Sequence, residues 1–250
     1  MSVDACAALV ERGDPERFAA VMAAPVGFRA RLFPLYAFNL EVAKAPWVTK
    51  EPMIAEMRLQ WWRNVVAEPA PRAHEVAGPL HAVIREAGLP GGALDRMVSA
   101  RVWDVYKEPF EDAADFDRYI EETGAGLMWL AAKACGAADR AEPVVRAFGW
   151  AAGLAGYLRA VPELEARGRI PFVDGRPQAV QDLARQGLRR GGCVHASSPL
   201  GLHAWGVVVP DLPGCFSAGD TLEEAMIQAE EAITAWVEVT IDAGESIPKP

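Results

Sequence analysis

Apolar residues recur at helical spacing through most of the first 190 residues. The clearest run lies between Pro52 and Val66, where an apolar stripe repeats every three or four residues: Ile54, Met57, Trp61 and Val65. A stripe of this period is typical of a helix that buries one face. We therefore predict a helix over this run, with the stripe directed at the core.

Further helices are predicted from the same period and from boundary residues. Asp14, Pro15 and Glu16 supply an N-cap, a first-turn proline and an acid near the positive end of a helix, which then runs to Met22. The other predicted helices cover residues 29–43, 79–87, 94–106, 115–134, 141–158 and 178–190. Pro162 is predicted to close the helix over 141–158, because proline disrupts a helix interior.

Two of these helices contain glycines in their interiors, namely Gly124, Gly126, Gly149, Gly153 and Gly156. Glycine inside a helix costs about 1 kcal/mol relative to alanine. Such a cost indicates that something approaches the backbone closely. We predict that the two helices pack tightly together, and room for a lipid chain between them is the alternative.

From about residue 193 the pattern changes from a helical to a strand period. A β-branched run at 204–209, a turn at 210–214 and a second short strand at 215–220 precede a capping box at Thr221 and Glu224. The helix that follows is predicted to reach about residue 242. We predict a mainly α-helical domain over 1–190 and a small α+β module over 191–250, with a short antiparallel sheet and one helix.

Composition narrows the classes of function. The net charge of −9 argues against a general nucleic-acid binder, for which a basic surface is expected. The four cysteines are scattered without metal-binding spacing, which is typical of free thiols in a reducing compartment. No uncharged apolar run approaches the roughly 20 residues that span a bilayer. We predict a cytoplasmic protein, with peripheral membrane association as the alternative.

Four short sequence motifs occur in order: LYAFN at 35–39, RLQWWRN at 58–64, YIEETGAGLMWLAA at 119–132 and GLAGYLRAVPELEARGRIPF at 153–172. Together they resemble the squalene/phytoene synthase family. The resemblance implies a helical bundle of the isoprenoid-synthase type. In active members, two aspartate-rich motifs on facing helices hold magnesium ions against a prenyl diphosphate.

The chain departs from that family at both motifs. Residues 43–47 read AKAPW, with no carboxylate, and residues 160–164 read AVPEL, in which Glu163 is the one acid. Magnesium prefers several carboxylate oxygens together with substrate phosphates. The chain therefore looks closer to family members without the aspartates, such as the mitochondrial complex I assembly factors. This resemblance implies a scaffold without catalysis or cofactor, which binds a lipid or a protein client.

The alternative implied by the family is a prenyl diphosphate transferase with an altered metal site. Its candidate catalytic residues would be Tyr36, Glu41, Arg159, Glu163 and Arg167, with magnesium as cofactor. Arg29 and Arg31 would bind the diphosphate, although both also read as surface charges near the start of a helix.

The C-terminal string WGVVVPDLPGCFSAGDTLEEAMIQAEEAI, at 205–233, resembles the HicB antitoxin family. The resemblance implies a module that neutralises a small RNA-cleaving toxin of the HicA type. No DNA-binding segment is evident after it. The partner-binding candidates in this module are Asp211, Gly214, Phe216 and Asp220.

Overall fold

The protein is described here by a computed structural model that covers residues 3–68, 73–106, 108–192, 205–208 and 216–219, with Gln228 and Glu231. Up to residue 192 the described chain is mainly helical, as predicted. Its helices are α1 (Val3–Gly13), α2 (Pro15–Ala23), α3 (Val26–Lys44), α4 (Pro52–Ala67), α5 (Ala77–Ala87), α6 (Gly91–Ala100), α7 (Ala113–Ile120), α8 (Gly126–Ala134), α9 (Glu142–Ala166) and α10 (Pro177–Gly192). A π-helical turn, Glu121–Ala125, joins α7 to α8, and a 3-10 turn, Asp139–Ala141, precedes α9.

Boundary residues predicted several of these helices well. The Asp14 side chain accepts a hydrogen bond from the Arg17 amide at 3.0 Å and caps α2, and Pro52 begins α4. The prediction that a helix runs over 94–106 was too long, because α6 ends at Ala100. For the helix over 115–134 the predicted cap is Asp115 or Asp117; this prediction was also wrong, since the Asp112 side chain caps α7.

Pro162 does not close a helix, contrary to the prediction, and α9 continues through it to Ala166. A proline within a helix removes one backbone hydrogen bond and crowds the carbonyl four residues earlier. Here Pro162 is exposed, while Leu164 beyond it is buried. The added turn brings the chain to Arg167 and Arg169, which follow the end of α9.

The buried side chains form two clusters. The first is built from α1 to α6 and α8, and in it the rings of Phe38 and Trp62 meet edge to face at 5.3 Å. The second lies between α7 and α9 and is rich in aromatic residues, including Phe116, Tyr119 and Tyr157. The helical domain therefore has a larger aliphatic core and a smaller aromatic one.

The predicted stripe on α4 proves to be a second apolar face of that helix. The residues that α4 packs into the core are Ala55, Leu59, Trp62, Val65 and Val66. Of the predicted stripe, Val65 is buried, but Ile54 and Met57 are exposed. The prediction was wrong for these two residues, because a single period could not reveal that α4 has apolar residues on two sides.

Close packing explains three of the interior glycines. A Cβ added to Gly153 would lie 2.9 Å from the Gly124 Cα atom, and one added to Gly149 would lie 2.6 Å from the Met128 Cβ atom. The helices that contain them therefore touch at backbone distance, which leaves no room for a lipid chain at this contact. Gly156 does not share the explanation, since a Cβ added there would meet nothing within 4 Å.

Two short strands are described in the C-terminal region, β1 (Trp205–Val208) and β2 (Phe216–Gly219). They pair antiparallel, with Trp205 opposite Gly219 and Val208 opposite Phe216. Gln228 and Glu231 are helical, but the rest of the helix predicted over 221–242 lies outside the described residues. The α+β module as a whole stays a prediction.

The glycine contact makes a prediction about stability. We expect Gly153→Ala to lower the free energy of unfolding by about 1–3 kcal/mol, because its methyl group would collide with the Gly124 backbone. The control is Gly156→Ala in the same helix, which should raise stability by up to about 1 kcal/mol. Urea unfolding of both variants measures the difference, and equal effects would contradict the close contact.

Candidate functional site

Trp47, the last residue of the first segment predicted to correspond to an aspartate-rich motif, contacts two arginines just beyond the second such segment. Residues 43–47 end α3 and begin the connection to α4, while residues 160–164 lie inside α9. The Arg167 guanidinium lies over the Trp47 ring at 4.7 Å and that of Arg169 at 5.2 Å. Cations stack favourably on the face of an indole ring. We name Trp47, Trp103, Arg167 and Arg169 the arginine–tryptophan cluster.

Arg169 is the buried centre of this cluster. Its Nη1 donates to the carbonyl oxygen of Trp103 at 3.0 Å, and its Nη2 donates to the carbonyl oxygen of Asp104. Its guanidinium also lies 5.3 Å from the centre of the Trp103 ring. Burial lowers the pKa of Arg169, an effect that the nearby Asp104 carboxylate opposes. Arg169 thus ties the segment after α9 to the segment after α6.

Beside Arg169 lies a buried polar triad, Arg101, Asp104 and Tyr119. The Tyr119 hydroxyl donates to the Asp104 carboxylate at 3.0 Å, and Arg101 Nη1 approaches the same carboxylate at 3.3 Å and the Tyr119 hydroxyl at 2.8 Å. Burial raises the pKa of Asp104, and the Arg101 charge opposes it. Burial also raises the pKa of Tyr119, so that hydroxyl stays a donor. The three side chains are partners of one another, but the buried Arg101 Nε atom has no hydrogen-bond partner among the described residues, so one donor of the network stays unsatisfied.

Aromatic rings fill the space around these polar groups. Trp103 stacks on Phe110 with ring centres 4.0 Å apart, and the Tyr157 ring lies 5.9 Å from that of Tyr119. The Tyr157 hydroxyl donates to the carbonyl oxygen of Pro171 at 2.7 Å, and burial raises its pKa. This end of the helical domain is therefore packed with rings and charge pairs.

The residues at the motif positions do not fit a magnesium ion. Mg²⁺ binds carboxylate oxygens and phosphates in octahedral geometry. Within the part of the chain that the structure describes, no three acidic, histidine or cysteine side chains are grouped to hold a metal. At the motif positions themselves, Lys44 is exposed and Trp47 holds two guanidinium groups, so the local charge repels a cation.

The candidate catalytic residues make two sets of contacts. Tyr36 lies below the Arg17 guanidinium at 5.5 Å, and Arg159 pairs with Glu16 at 3.2 Å, so both meet the start of α2. Burial raises the pKa of Tyr36, and the Arg17 charge opposes this effect. Tyr36 and Arg159 therefore both contact residues at the start of α2. Among the described residues, no cluster of three carboxylates lies beside them.

The second set of contacts joins Glu163 and Arg167, which pair at 2.6 Å within α9 and its end. Both side chains are largely exposed, and Arg167 uses its guanidinium plane on Trp47. Glu41, on α3, has no ion pair among the described residues. Arg159 and Glu163 are four residues apart on α9, a spacing that places them on one face of the helix.

Arg29 and Arg31 are engaged with backbone carbonyl groups. The Arg29 Nη2 donates to the carbonyl oxygen of Met22 at 2.6 Å, and the Arg31 Nη1 donates to that of Ala134 at 3.0 Å. Arg31 therefore joins α3 to the C-terminal end of α8. These contacts give both residues a structural task, and diphosphate binding by them stays a prediction.

A cleft of about 340 Å³ opens between α6 and α7. Trp103, Phe110 and Tyr119 line it. Its two arginines already have acidic partners, since Arg96 pairs with Glu122 at 3.2 Å and Arg118 with Asp115 at 2.5 Å. The cleft therefore offers an aromatic wall but no free cation for a diphosphate.

The partner-binding candidates of the C-terminal module are described in part. Phe216 begins β2, opposite Val208 of β1. Asp211, Gly214 and Asp220 lie outside the described residues.

Sequence reasoning missed the residues that organise this end of the helical domain. Arg169 lies within the string at 153–172, which carries the family resemblance, but its carbonyl partners lie 66 and 65 residues earlier in the chain. Trp47 had been noted only as a position without a carboxylate. An aromatic residue at one motif position and two arginines just beyond the other could have suggested cation–π pairing.

Residues 10–174 match the family model described as squalene/phytoene synthase, which is more than half of the chain. The chain belongs to this family. The predicted resemblance is thereby confirmed, and the helical fold of the described residues agrees with it.

Curated relatives point to one branch of similar proteins. The chain is similar to "NADH dehydrogenase (ubiquinone) complex I, assembly factor 6 homolog" of Drosophila melanogaster, with 30% identity over 180 residues, 67% of this chain and 53% of the relative. It is also similar to "NADH dehydrogenase (ubiquinone) complex I, assembly factor 6" of Homo sapiens, with 26% identity over 169 residues, 66% of this chain and 51% of the relative. The chain spans about half the length of these relatives.

The C-terminal region has matches of its own. Residues 193–250 match the model described as HicB_like antitoxin of bacterial toxin-antitoxin system. A stretch of 43 residues is 58% identical to "Uncharacterized 14.9 kDa protein in rep-hol intergenic region" of Haemophilus phage HP1 (strain HP1c1), covering 17% of this chain and 32% of that protein. The predicted second resemblance is confirmed at the level of sequence.

Among the described residues, every helix is too short or too polar to cross a bilayer. The cytoplasmic location stays a prediction.

The buried triad makes a prediction about stability. We expect Asp104→Ala to lower the free energy of unfolding by about 3–5 kcal/mol, because it leaves Arg101 buried without its carboxylate partner. The control is Asp182→Ala, which breaks the exposed pair with Arg185 and should cost less than about 1 kcal/mol. Denaturant unfolding measures both. A small loss for Asp104→Ala would mean that the triad does not hold this end together.

Proposed function

We propose that the helical domain, residues 1–190, is a non-catalytic scaffold that binds a protein client. The arginine–tryptophan cluster carries this proposal. A synthase of this family needs metal-bound carboxylates on both sides of a diphosphate. Here Trp47, at the end of the first segment, is stacked on by two guanidinium groups that lie just after the second, which supports the proposal.

Charge supports the same conclusion. The leaving diphosphate of a prenyl transfer needs its developing charge stabilised, which metal ions do with positive charge held by acidic ligands. The Arg169 guanidinium donates hydrogen bonds to two backbone carbonyl oxygens, and Arg167 forms an ion pair with Glu163. Among the described residues, no group of three acids could hold a metal, and both arginines after α9 are already engaged within the protein.

The relatives suggest what the client is. Two of them are named as assembly factors of NADH dehydrogenase (ubiquinone) complex I. We propose that this chain assists the assembly of a related respiratory enzyme by binding one of its protein components. The chain corresponds to about half of each relative, so the client site is sought in the shared helices.

The alternative is a prenyl diphosphate transferase with an altered metal site. It would need Tyr36, Glu41, Arg159, Glu163 and Arg167 to act on one substrate, with Arg29 and Arg31 on its diphosphate. Most of these charged side chains already have partners within the protein. These pairings disfavour the alternative, and a direct assay distinguishes the two.

A second candidate function belongs to residues 191–250, which we propose as a separate module that begins after α10. The match to HicB-like antitoxins over 193–250 supports it, and so does the antiparallel pairing of β1 with β2. Such a module would cover a small RNA-cleaving toxin of the HicA type. Asp211, Gly214, Phe216 and Asp220 remain its proposed contact residues.

Catalysis is tested first by diphosphate release. We expect none from farnesyl or geranylgeranyl diphosphate, with Mg²⁺ or Mn²⁺, over several hours, because the metal ligands are missing. Farnesyl diphosphate with Mg²⁺ should also leave the melting temperature unchanged, since a bound ligand would raise it. Turnover that is lost in Arg159→Ala or Glu163→Ala would establish the transferase instead.

The client role is tested in the organism that encodes the chain. We expect membranes from a strain without the gene to have less NADH-dependent quinone reduction, and the intact gene to restore it. The matched variants are Tyr36→Phe and Glu163→Gln, which remove candidate catalytic groups while keeping their shape. A scaffold predicts full restoration by both. Failure of a well-folded Glu163→Gln protein to restore activity would bring catalysis back, and no defect in the deletion strain would refute the client role.

The module is tested by co-expression of the full chain with a HicA-type toxin. An antitoxin should rescue growth and co-purify with the toxin. The variant Asp211→Lys should weaken both effects if this residue contacts the toxin, and the control Asp182→Lys on α10 should weaken neither. Growth arrest despite full expression of the chain would contradict an antitoxin function.

A further inference from the structure

Helix α4 has two apolar faces. One face is buried, and the other is buried only in its C-terminal half. Its inner face is buried in the first core cluster. The residues of its outer face are Met53, Ile54, Met57 and Trp61, with Val65 at the border with the inner face, and we name these five the outer stripe. A surface helix of a globular protein usually has one apolar stripe. Apolar residues on two sides indicate that a helix is covered on two sides.

The C-terminal half of the outer stripe is already covered by the protein itself. The ring of Trp61 lies 5.0 Å from that of His74, and Val65 is fully buried. The cover extends to α5, since the His81 Nε2 atom lies 2.6 Å from the carbonyl oxygen of Val65. This half of the stripe is therefore packed against other parts of the protein.

The N-terminal half of the outer stripe is bare. Met53 is 73% exposed, Met57 66% and Ile54 46%. Three large apolar side chains within one turn and a half of helix form a patch rather than scattered surface residues. Methionine is common where a surface must fit an apolar partner, because its side chain is flexible and polarisable.

Two opposite charges stand at the two ends of this bare half. Glu51 precedes the first turn of α4 and Arg58 follows Met57, and both are exposed. At about 100° per residue, seven positions bring them to nearly the same side of the helix. Among the described residues, neither side chain has an ion-pair partner. The patch is therefore apolar in the middle, acidic at one end and basic at the other.

We propose that the bare half of the outer stripe binds the same surface of a second copy of this chain, with the two α4 helices antiparallel. A two-fold contact joins identical patches, so the patch must be complementary to itself. Antiparallel pairing centred between Ile54 and Ala55 brings Arg58 of each copy opposite Glu51 of the other. The apolar residues then meet in the middle and two ion pairs close the ends.

A membrane fits this surface less well than a second copy. Between residues 50 and 58 the cations Lys50 and Arg58 balance the acids Glu51 and Glu56. Attachment to an anionic bilayer draws on a cluster of several cations, each of which adds about 1 kcal/mol. Because the charges here balance, attraction to an anionic bilayer is small. The same balance favours pairing with a second copy, in which acids and cations can face each other.

The contact is small, so we expect a reversible dimer. A standard interface buries about 800 Å² on each partner, which is more than three side chains supply. Val48, 53% exposed just before α4, is placed to extend it. The dimer should therefore form in a concentration-dependent manner and should not be needed for folding.

The test is sedimentation of the full chain over a wide range of concentration. We expect a monomer–dimer equilibrium whose dissociation constant rises about tenfold or more in Met57→Asp, because a charge would be buried in the contact. The control is Leu188→Asp on α10, a residue of similar exposure at 58%, which should leave the equilibrium unchanged. Thermal unfolding of each variant verifies that the monomer is intact.

Charge exchange tests the antiparallel arrangement. Arg58→Glu and Glu51→Arg should each weaken the dimer, and the double variant should restore it, because the exchanged charges again face each other. A monomer at every concentration would refute the proposal, and so would a dimer that survives Met57→Asp. A monomer that sediments with phosphatidylcholine–phosphatidylglycerol vesicles would assign the patch to lipid instead. Weakened single variants without restoration would overturn the antiparallel pairing.

Discussion

The insertion of Arg169 between two tryptophans determines how one end of the helical domain is built. Its guanidinium joins three connections that are distant in sequence: the one after α3 through Trp47, the one after α6 through two carbonyl groups, and its own after α9. A buried guanidinium is tolerated because its charge faces rings, carbonyls and Asp104. The aromatic core around Tyr119 and Tyr157 packs against this arrangement.

The same arrangement bears on function through the sign of its charge. A prenyl synthase of this family concentrates negative side chains at the two motif segments and attracts metal ions to them. In this chain, Arg167 and Arg169 lie just beyond the second segment and contact Trp47 at the end of the first, and rings, carbonyl groups and Glu163 engage them. These contacts agree with the scaffold that we propose.

Local signals in the sequence predicted local structure well. The cap at Asp14, the proline at position 52 and the apolar periods located most helices because each depends on neighbouring residues. Contacts between distant segments were not predictable in this way. The Arg169 hydrogen bonds depend on how α6 and α9 come together, and the continuation of α9 through Pro162 depends on what Leu164 packs against. The outer stripe of α4 had the right period, but a period does not say which face meets the core.

The π-helical turn at Glu121–Ala125 has a consequence for how the sequence could change. The buried positions before and after it keep one helical rhythm, yet Phe116 and Ile120 enter the aromatic core while Leu127 and Leu130 enter the aliphatic one. A π turn holds about one extra residue, which rotates the following helix by about 100°. If the same number of residues formed a regular α-helix, both halves of the stripe would turn toward the same side. Loss of a single residue here would instead give a regular helix whose two halves keep their present directions, so a deletion in this turn ought to disturb the two cores less than a deletion within α7 or α8.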